Sequence, residues 1–206
     1  MQDKLFTIIT PAYNCGEKIR KTIKSVLKQK TSLFEYIIVD GNSQDDTLEI
    51  IKEYNSKIKW ISEDDTGVYD AMNKGISIAK GKYLYFLGAG DELKENILEK
   101  IKPFIPDSEI YFIYGNVYRK DYNEVYNGKY NKSKLRKDNI CHQAIFYMKD
   151  IFDLIGKYNS KYPILADYVL NLKCFGNEKI KIKYIDFVIA DYEGYGLSSN
   201  QNDLIF

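Results

Sequence analysis

Along the first hundred positions, apolar residues arrive in short blocks separated by amphipathic stretches. Leu5 to Thr10 is a compact apolar run stopped by Pro11, and Glu17 to Gln29 follows with Ile19, Ile23, Val26 and Leu27 at helical spacing. Tyr36 to Val39 is a second buried-strand run that ends at Asp40-Gly41-Asn42-Ser43, and Asp46-Thr47 opens a helix carrying Leu48, Ile51 and Tyr54. Ile58 to Ser62 makes a third strand. An acidic turn, Glu63-Asp64-Asp65-Thr66-Gly67, leads into a helix over 68–79 with Val68, Ala71, Met72, Gly75, Ile76 and Ala79 on one face. Tyr83 to Leu87 is nearly unbroken apolar and aromatic, the pattern of a strand covered on both faces, and it empties into Gly88-Ala89-Gly90-Asp91-Glu92. Four strands alternating with three helices predict right-handed crossovers and a mainly parallel central sheet flanked by helices, an α/β fold.

Beyond a further helix over 94–102 the rhythm changes. Pro103 and Pro106 break the helix, Ile110 to Tyr118 reads as a strand, and turn signals at Asp121 to Asn123 and Asn127-Gly128 predict a hairpin or meander. The polar, basic stretch 129–139, with Lys129, Lys132, Lys134, Arg136 and Lys137, reads as a mobile loop. Helical patterns return over 150–155 and 166–175, and 180–190 is a late strand. No repeat or flexible linker interrupts the chain, so residues 1–206 are read as one domain, with 1–102 and 103–206 as its halves.

Composition narrows the partners. Thirty basic and twenty-nine acidic residues leave a formal charge of +1, which gives no electrostatic footprint for nucleic acid. Cys15, Cys141 and Cys174 are odd in number and widely spaced, so neither a disulfide framework nor a zinc site is indicated, and a reducing cytoplasm is the expected location. No signal segment and no run of eighteen apolar residues is visible. His142 is the one histidine, which excludes a multi-histidine metal cluster, and Cys141 beside it lacks the partners for thiol catalysis.

Chemistry-bearing residues gather at strand ends. In an open α/β sheet the ligand crevice lies beyond the carboxyl ends of the strands, so Asp91 in a Gly-rich loop is placed to hold a hard cation and its anionic ligand. The structural alternative is Asp91 as cap of the following helix. Asp70, Asn73 and Lys74 fall on one helical face, where a Lys suits phosphate and where a solvated amphipathic face is the alternative.

Four segments, Thr10-Pro11-Ala12-Tyr13-Asn14, Asp40-Gly41-Asn42-Ser43, the run from Asp65 to Gly75 and Gly88-Ala89-Gly90-Asp91, resemble in order and spacing the family 2 glycosyltransferases of the GT-A fold. Cys141-His142-Gln143-Ala144 and Ala166-Asp167-Tyr168 extend the resemblance. Small bacterial enzymes that build capsule, exopolysaccharide or lipopolysaccharide chains are the members it resembles most.

The resemblance implies a Rossmann-like GT-A fold and transfer of a sugar, with inversion, from a nucleotide-sugar donor, UDP-linked by preference, to a saccharide or polyprenyl-linked acceptor. It implies that Pro11, Ala12, Tyr13 and Asn14 frame the nucleoside and that Asp40 accepts a hydrogen bond from base or ribose, an Asx-turn being its structural alternative. Asp70, Asn73, Lys74 and Gly90 are placed at the donor. His142 is left at the donor phosphate, the metal or the acceptor site, or as a structural side chain. Asp167 matches the general base at the start of a late helix, and Asp91 the ligand of Mg²⁺ or Mn²⁺. Most relatives carry Asp-x-Asp where this chain has Gly88-Ala89-Gly90-Asp91, so Asp91 stands alone. Tyr195 to Ser199 resembles a Gly-x-Ser segment that closes near the donor. The basic stretch 129–139 is compatible with an acceptor lid or peripheral contact at the inner face of the cytoplasmic membrane. Two other readings stay open: a non-catalytic donor-binding subunit that has lost its acidic pair, and a sugar-phosphate nucleotidyltransferase, against which the absence of an early Gly-rich Arg/Lys loop counts.

Overall fold

The computed structural model describes residues 4–194 apart from 107 and 127. The first half alternates as its pattern predicts: β1 (Phe6–Ala12), α1 (Glu17–Leu27), β2 (Phe34–Asp40), α2 (Thr47–Lys52), β3 (Lys59–Ser62), α3 (Val68–Ile78) and β4 (Tyr83–Phe86). These strands lie side by side as β3-β2-β1-β4, all parallel.

Their side chains explain why the runs are continuously apolar. Ile9, Ile37, Val39, Leu84 and Phe86 pack into one core, while Phe6, Ile8, Tyr36, Ile38, Tyr83 and Tyr85 pack into a second on the opposite face. Successive strand residues point to opposite faces, so a strand covered on both sides is apolar on both, with its few polar residues, such as Thr7 and Glu35, hydrogen-bonded to each other. α3 covers the first face and α1 the second, α3 through Met72 and Ile76, α1 through Ile19, Ile23 and Val26.

Past β4 come β5 (Glu92–Leu93), α4 (Ile97–Ile101), β6 (Ile110–Arg119), β7 (Glu124–Tyr126), α5 (Lys132–Leu135), β8 (Ile145–Met148), α6 (Asp150–Ile155), α7 (Ala166–Gly176) and β9 (Ile180–Tyr192). The sheet continues β4-β8-β6-β9-β5, with β7 on β6. β8 runs antiparallel to both β4 and β6, and β9 parallel to β6, so the sheet is parallel in its first half and mixed in its second.

Three local expectations change. The helix expected over 94–102 is shortened to α4, because the Lys94 amide still bonds the Ile189 carbonyl at 2.9 Å beyond β5, and Asn96 takes a left-handed φ of 55° just before Ile97. The stretch 129–139 is ordered: Tyr130, Leu135 and Ile140 are buried, Asn131 caps α5 through the Lys134 amide, and Tyr130 bonds Asp138. Three well-spaced apolar anchors pin a segment that its charges make look free. β8, unassigned in the pattern, is the apolar run Ile145-Phe146-Tyr147-Met148. The resemblance to a closing segment at 195–199 lies outside the described residues.

The turn into β4 packs backbone against backbone. Gly81 donates its amide to Thr7 Oγ1 at 2.8 Å, and a Cβ at Gly81 would meet the Phe6 carbonyl carbon and the Thr7 nitrogen at 2.5 Å. Backbone atoms cannot yield as a flexible side chain can. Gly81→Ala is therefore expected to destabilise the fold by about 1–3 kcal/mol through overpacking. Denaturant unfolding checks this, and an unchanged midpoint would contradict it.

Candidate active site

The site lies beyond the C-terminal ends of the parallel strands, where the connecting loops are stitched to one another. After β1, Asn14 and Gly16 take positive φ of 44° each, and the turn is held from the next loop. Thr47 Oγ1 accepts the Cys15 and Gly16 amides at 2.8 Å, Ser43 Oγ accepts the Asn14 amide at 2.9 Å, and Asn14 Oδ1 accepts the Gln44 amide at 2.8 Å. Ala12 is buried, Pro11 faces the cleft described below, and Tyr13 stands 63% exposed at the rim. Asp40 is fully buried. Its carboxylate accepts the Ser43 amide, the Ser43 hydroxyl and the Ser62 hydroxyl, at 3.2, 2.5 and 2.6 Å. It thus forms the Asx-type turn after β2.

The face of α3 divides its labour. Asp70 accepts the Thr66 amide at 3.0 Å and lies 3.7 Å from Lys74, which also pairs with Glu63 at 3.2 Å and donates to the Asp64 carbonyl. Both side chains therefore grip the acidic turn before α3. Asn73 instead exchanges two hydrogen bonds with the Tyr158 backbone, at 2.9 and 3.0 Å. None of the three lines the cleft.

That cleft, of about 410 Å³, is lined from both halves of the chain, and Asp91 and Asp167 both face it. Asp91 follows β4 and is 4% exposed. Its Oδ1 accepts the Glu193 amide at 2.9 Å and its Oδ2 accepts Gln143 Nε2 at 2.7 Å. It does not cap α4. Burial is the largest influence on its carboxyl group and raises the pKa above the ordinary carboxylate value, while these two bonds and nearby His142 pull it down. The two neighbouring glycines make room. A Cβ at Gly88 would lie 2.7 Å from Asp91 Oδ2, and one at Gly90, where φ is +105°, would lie 2.6 Å from Glu193 Oε2. The space of a side chain at Gly90 is thus held by the Glu193 carboxylate from the end of β9.

Asp167 sits in the first turn of α7, 7% exposed. Its Oδ1 accepts the Tyr69 hydroxyl at 2.9 Å and its own neighbour's amide, Tyr168 N, at 2.7 Å. Its Oδ2 accepts Asn139 Nδ2 at 3.2 Å and lies 3.6 Å from His142 Nδ1. The hydroxyl of Tyr69 also meets the Ile164 carbonyl at 2.7 Å, and burial beside Asp167 holds its pKa far above the ordinary phenol value. Arg119, at the end of β6, lines the same cleft between the rings of Tyr122 and Tyr126, 4.4 and 4.3 Å from their centroids.

Of the residues expected from sequence, Pro11, Asp91, His142 and Asp167 meet in the cleft, and Gly90 adjoins it. Tyr69, Gln143, Asn139, Arg119 and Glu193 were not singled out. Tyr69 and Gln143 lie inside the segments that carried the resemblance, and their uncharged side chains drew no notice beside Asp70 and His142. Arg119, Asn139 and Glu193 carry no local signal.

A parallel β3-β2-β1-β4 sheet with an acidic cleft at its strand ends is a Rossmann-like arrangement, and with the mixed second half it is that of the GT-A nucleotide-sugar transferases. The chain belongs to the family described as Glycosyl transferase family 2, whose model matches residues 7–162, and it is a family 2 glycosyltransferase. It is similar to the PGL/p-HBAD biosynthesis glycosyltransferase of Mycobacterium tuberculosis, with 37% identity covering 97% of this chain and 81% of that one. The chondroitin synthase of Escherichia coli shares 28% identity over 82% of this chain and 26% of its own length. Among solved structures, S. aureus TarS 1-349 in complex with UDP-GlcNAc superimposes with a TM-score of 0.73 at 18% identity, covering 96% of this chain and 61% of that one. The mannosyltransferase PcManGT from Pyrobaculum calidifontis, in complex with GDP-Man and Mn2+, gives 0.71 at 13% identity, covering 91% and 56%.

No group of three or more His, Cys, Asp or Glu side chains among the described residues forms a cation site by itself. A cation shared with a diphosphate does fit the donor set, since Mg²⁺ takes one or two carboxylates with phosphate and water oxygens, and Asp91 and Glu193 both line the cleft. No helix among the described residues is long and apolar enough to cross a membrane.

The raised pKa of Asp91 has a sign that can be tested without donor. The folded chain prefers the neutral carboxyl, so this group's contribution to stability is full below the unfolded value and is lost as pH rises through the folded one. In metal-free buffer, the melting temperature of Asp91→Asn relative to the parent is expected to move in the variant's favour from about pH 4 to about pH 8. A difference that stays flat, or moves the other way, would contradict the burial argument.

Proposed function

We propose that this chain transfers a hexosyl or N-acetylhexosaminyl group from a UDP-sugar to a hydroxyl of a saccharide or lipid-linked saccharide, with inversion at the anomeric carbon. The observation that carries it is the meeting of Asp91 and Asp167 in one cleft, the first from the end of β4 and the second from the start of α7. The first would hold the cation and donor diphosphate, and the second would draw the proton from the acceptor. Inversion follows from a single displacement, in which the acceptor oxygen attacks the anomeric carbon from the side opposite the departing diphosphate.

In this reading Pro11, Ala12, Tyr13, Asn14 and Asp40 form the nucleoside end, and Gly90 lets the diphosphate approach the loop backbone. Asp70, Asn73 and Lys74 act on the donor at one remove, by fixing the acidic turn and the Tyr158 segment. Asp91, with Glu193 beside it, would hold Mg²⁺ or Mn²⁺, and the ion when bound would neutralise charge on the leaving diphosphate. Tyr69 and Asn139 orient Asp167 through hydrogen bonds at 2.9 and 3.2 Å. Residues 1–102 serve the donor and 103–206 the acceptor, and exposed Lys129, Lys132, Arg136 and Lys137 suit peripheral contact with an anionic membrane face. The names of the similar proteins, a biosynthetic glycosyltransferase and a polysaccharide synthase, support the acceptor class.

UDP release from UDP-GlcNAc with Mn²⁺, with calorimetric donor binding beside it, tests the reading. Asp167→Asn is expected to slow release by about 10²- to 10⁴-fold, the span of general-base catalysis, while donor affinity holds. Release unaffected by that substitution would sink the assigned base. Donor binding without release by the parent chain would favour a non-catalytic subunit.

A further inference from the structure

The hairpin of β6 and β7 brings a cation to the cleft. Its strands pair Val117 with Tyr126, Tyr118 with Val125 and Arg119 with Glu124, and Asn123 turns the chain with a left-handed φ of 49°. It is fastened on both sides. Lys120 pairs with Glu92 of β5 at 2.7 Å, and the Tyr126 hydroxyl donates to Asp138 at 2.6 Å and meets the Asn139 carbonyl at 3.3 Å. Arg119 lies over the rings of Tyr122 and Tyr126, and contact with two rings limits the positions its guanidinium can take. Glu124 takes Nη2, and Nε is shut off from solvent, so neither is offered to the cleft. Nη1 differs: it has no hydrogen-bond partner among the described residues and is not shut off, on a side chain that is 28% exposed and lines the cleft. A planar guanidinium with a free N–H edge suits a carboxylate or phosphate oxygen. The other charged groups lining the cleft are Lys18, Asp91, Asp167 and Glu193, with His142 as the one imidazole. Three carboxyl groups make the cleft unwelcoming to an anion, so an anion that enters it needs a fixed cation of its own.

We propose that Arg119 sets acceptor specificity by binding an anionic group of the acceptor, either a sugar carboxylate or the phosphate that joins a saccharide to its carrier. This rests on the transferase reading and narrows its acceptor class to acidic ones. The hairpin is joined through Tyr126 to Asn139, and Asn139 Nδ2 holds Asp167 at 3.2 Å, so Arg119 and the assigned base stand on one connected wall. An acceptor whose hydroxyl reaches Asp167 therefore has Arg119 within the same cleft. The anion accepts from Nη1, and Glu124 competes with it for the guanidinium. A neutral acceptor gains nothing from this contact, which is how the residue discriminates.

The test titrates the full chain, without donor or metal, with methyl β-D-glucuronide, glucose 1-phosphate and the neutral methyl β-D-glucoside, read by saturation-transfer nuclear magnetic resonance. At least one anionic probe is expected to bind about tenfold or more tightly than the glucoside, and Arg119→Gln is expected to remove that advantage. The glucuronide ahead assigns the carboxylate as the source, and glucose 1-phosphate ahead assigns the phosphate. Arg119→Lys, which keeps the charge without the planar fork, is expected to lie between parent and Arg119→Gln. Glu124→Gln frees Nη2 and is expected to tighten the anionic probes by about two- to fivefold, the worth of an exposed ion pair, which a side chain serving only to brace the hairpin would not do. A glucoside bound as well as the anions, no binding of any probe, or anion binding indifferent to Arg119→Gln would overturn the assignment. UDP with Mn²⁺ is titrated alongside and is expected to bind Arg119→Gln within about twofold of the parent. A loss of UDP affinity as large as that of the anionic probes would assign Arg119 to the donor diphosphate instead. The saccharide titrations need no donor, so their outcome is independent of whether UDP-GlcNAc is turned over.

Discussion

Two hydrogen bonds to one buried carboxylate hold the cleft together. Asp91 accepts the Glu193 amide and the Gln143 side chain, so a single group ties the end of β4 to the turn before β8 and to the chain after β9. Those three segments are far apart in sequence and neighbours only in the assembled sheet. β8 must insert antiparallel beside β4 to bring Gln143 there, and β9 must pair with β5 to bring Glu193. The two apolar cores on either face of β4 position that strand, and the acidic loop inherits their rigidity. A charge so enclosed is disfavoured in the empty protein, and the same enclosure makes its attraction for a cation or phosphate partner stronger than in water.

A second cluster faces this one across the cleft. Asp167 is fixed by Tyr69 from α3, Asn139 from the segment after α5 and its own helix, and His142 stands beside it. The two clusters share the short segment 141–143: Gln143 faces Asp91, and His142 faces Asp167. Adjacent residues that turn to opposite sides thus link the two carboxylates through one short segment. Arg119 lines the same cleft with its guanidinium over the rings of Tyr122 and Tyr126.

The parallel half of the sheet was legible in the sequence because both its faces are covered. β1, β2 and β4 are apolar or aromatic at most positions, on both faces, and their loops carry the small and acidic residues that mark strand ends. The ends of the long helices and strands fell within a few residues of those expected, as at α7 and β9. The mixed half was less legible. β8 is four residues long and follows directly on the His142 segment, and α5 is four residues whose charges masked the anchors Tyr130, Leu135 and Ile140. For the site, Asp91 was singled out by its place at a strand end and Asp167, His142 and Pro11 by the resemblance, and the four line one cleft. Glu193 was invisible because its place beside Gly90 exists only after β9 has paired with β5. The spacing that put Asp70, Asn73 and Lys74 on one face was right as geometry, yet their bonds turn them to the acidic turn and to Tyr158 rather than to the cleft.

A crystal structure with UDP-GlcNAc and Mn²⁺ tests the central claim most directly. The account predicts the diphosphate and ion at Asp91, with the anomeric carbon between them and Asp167. A nucleotide seated elsewhere, for instance in the shallow groove at Lys173 and Lys179, or a sugar turned away from Asp167, would contradict it.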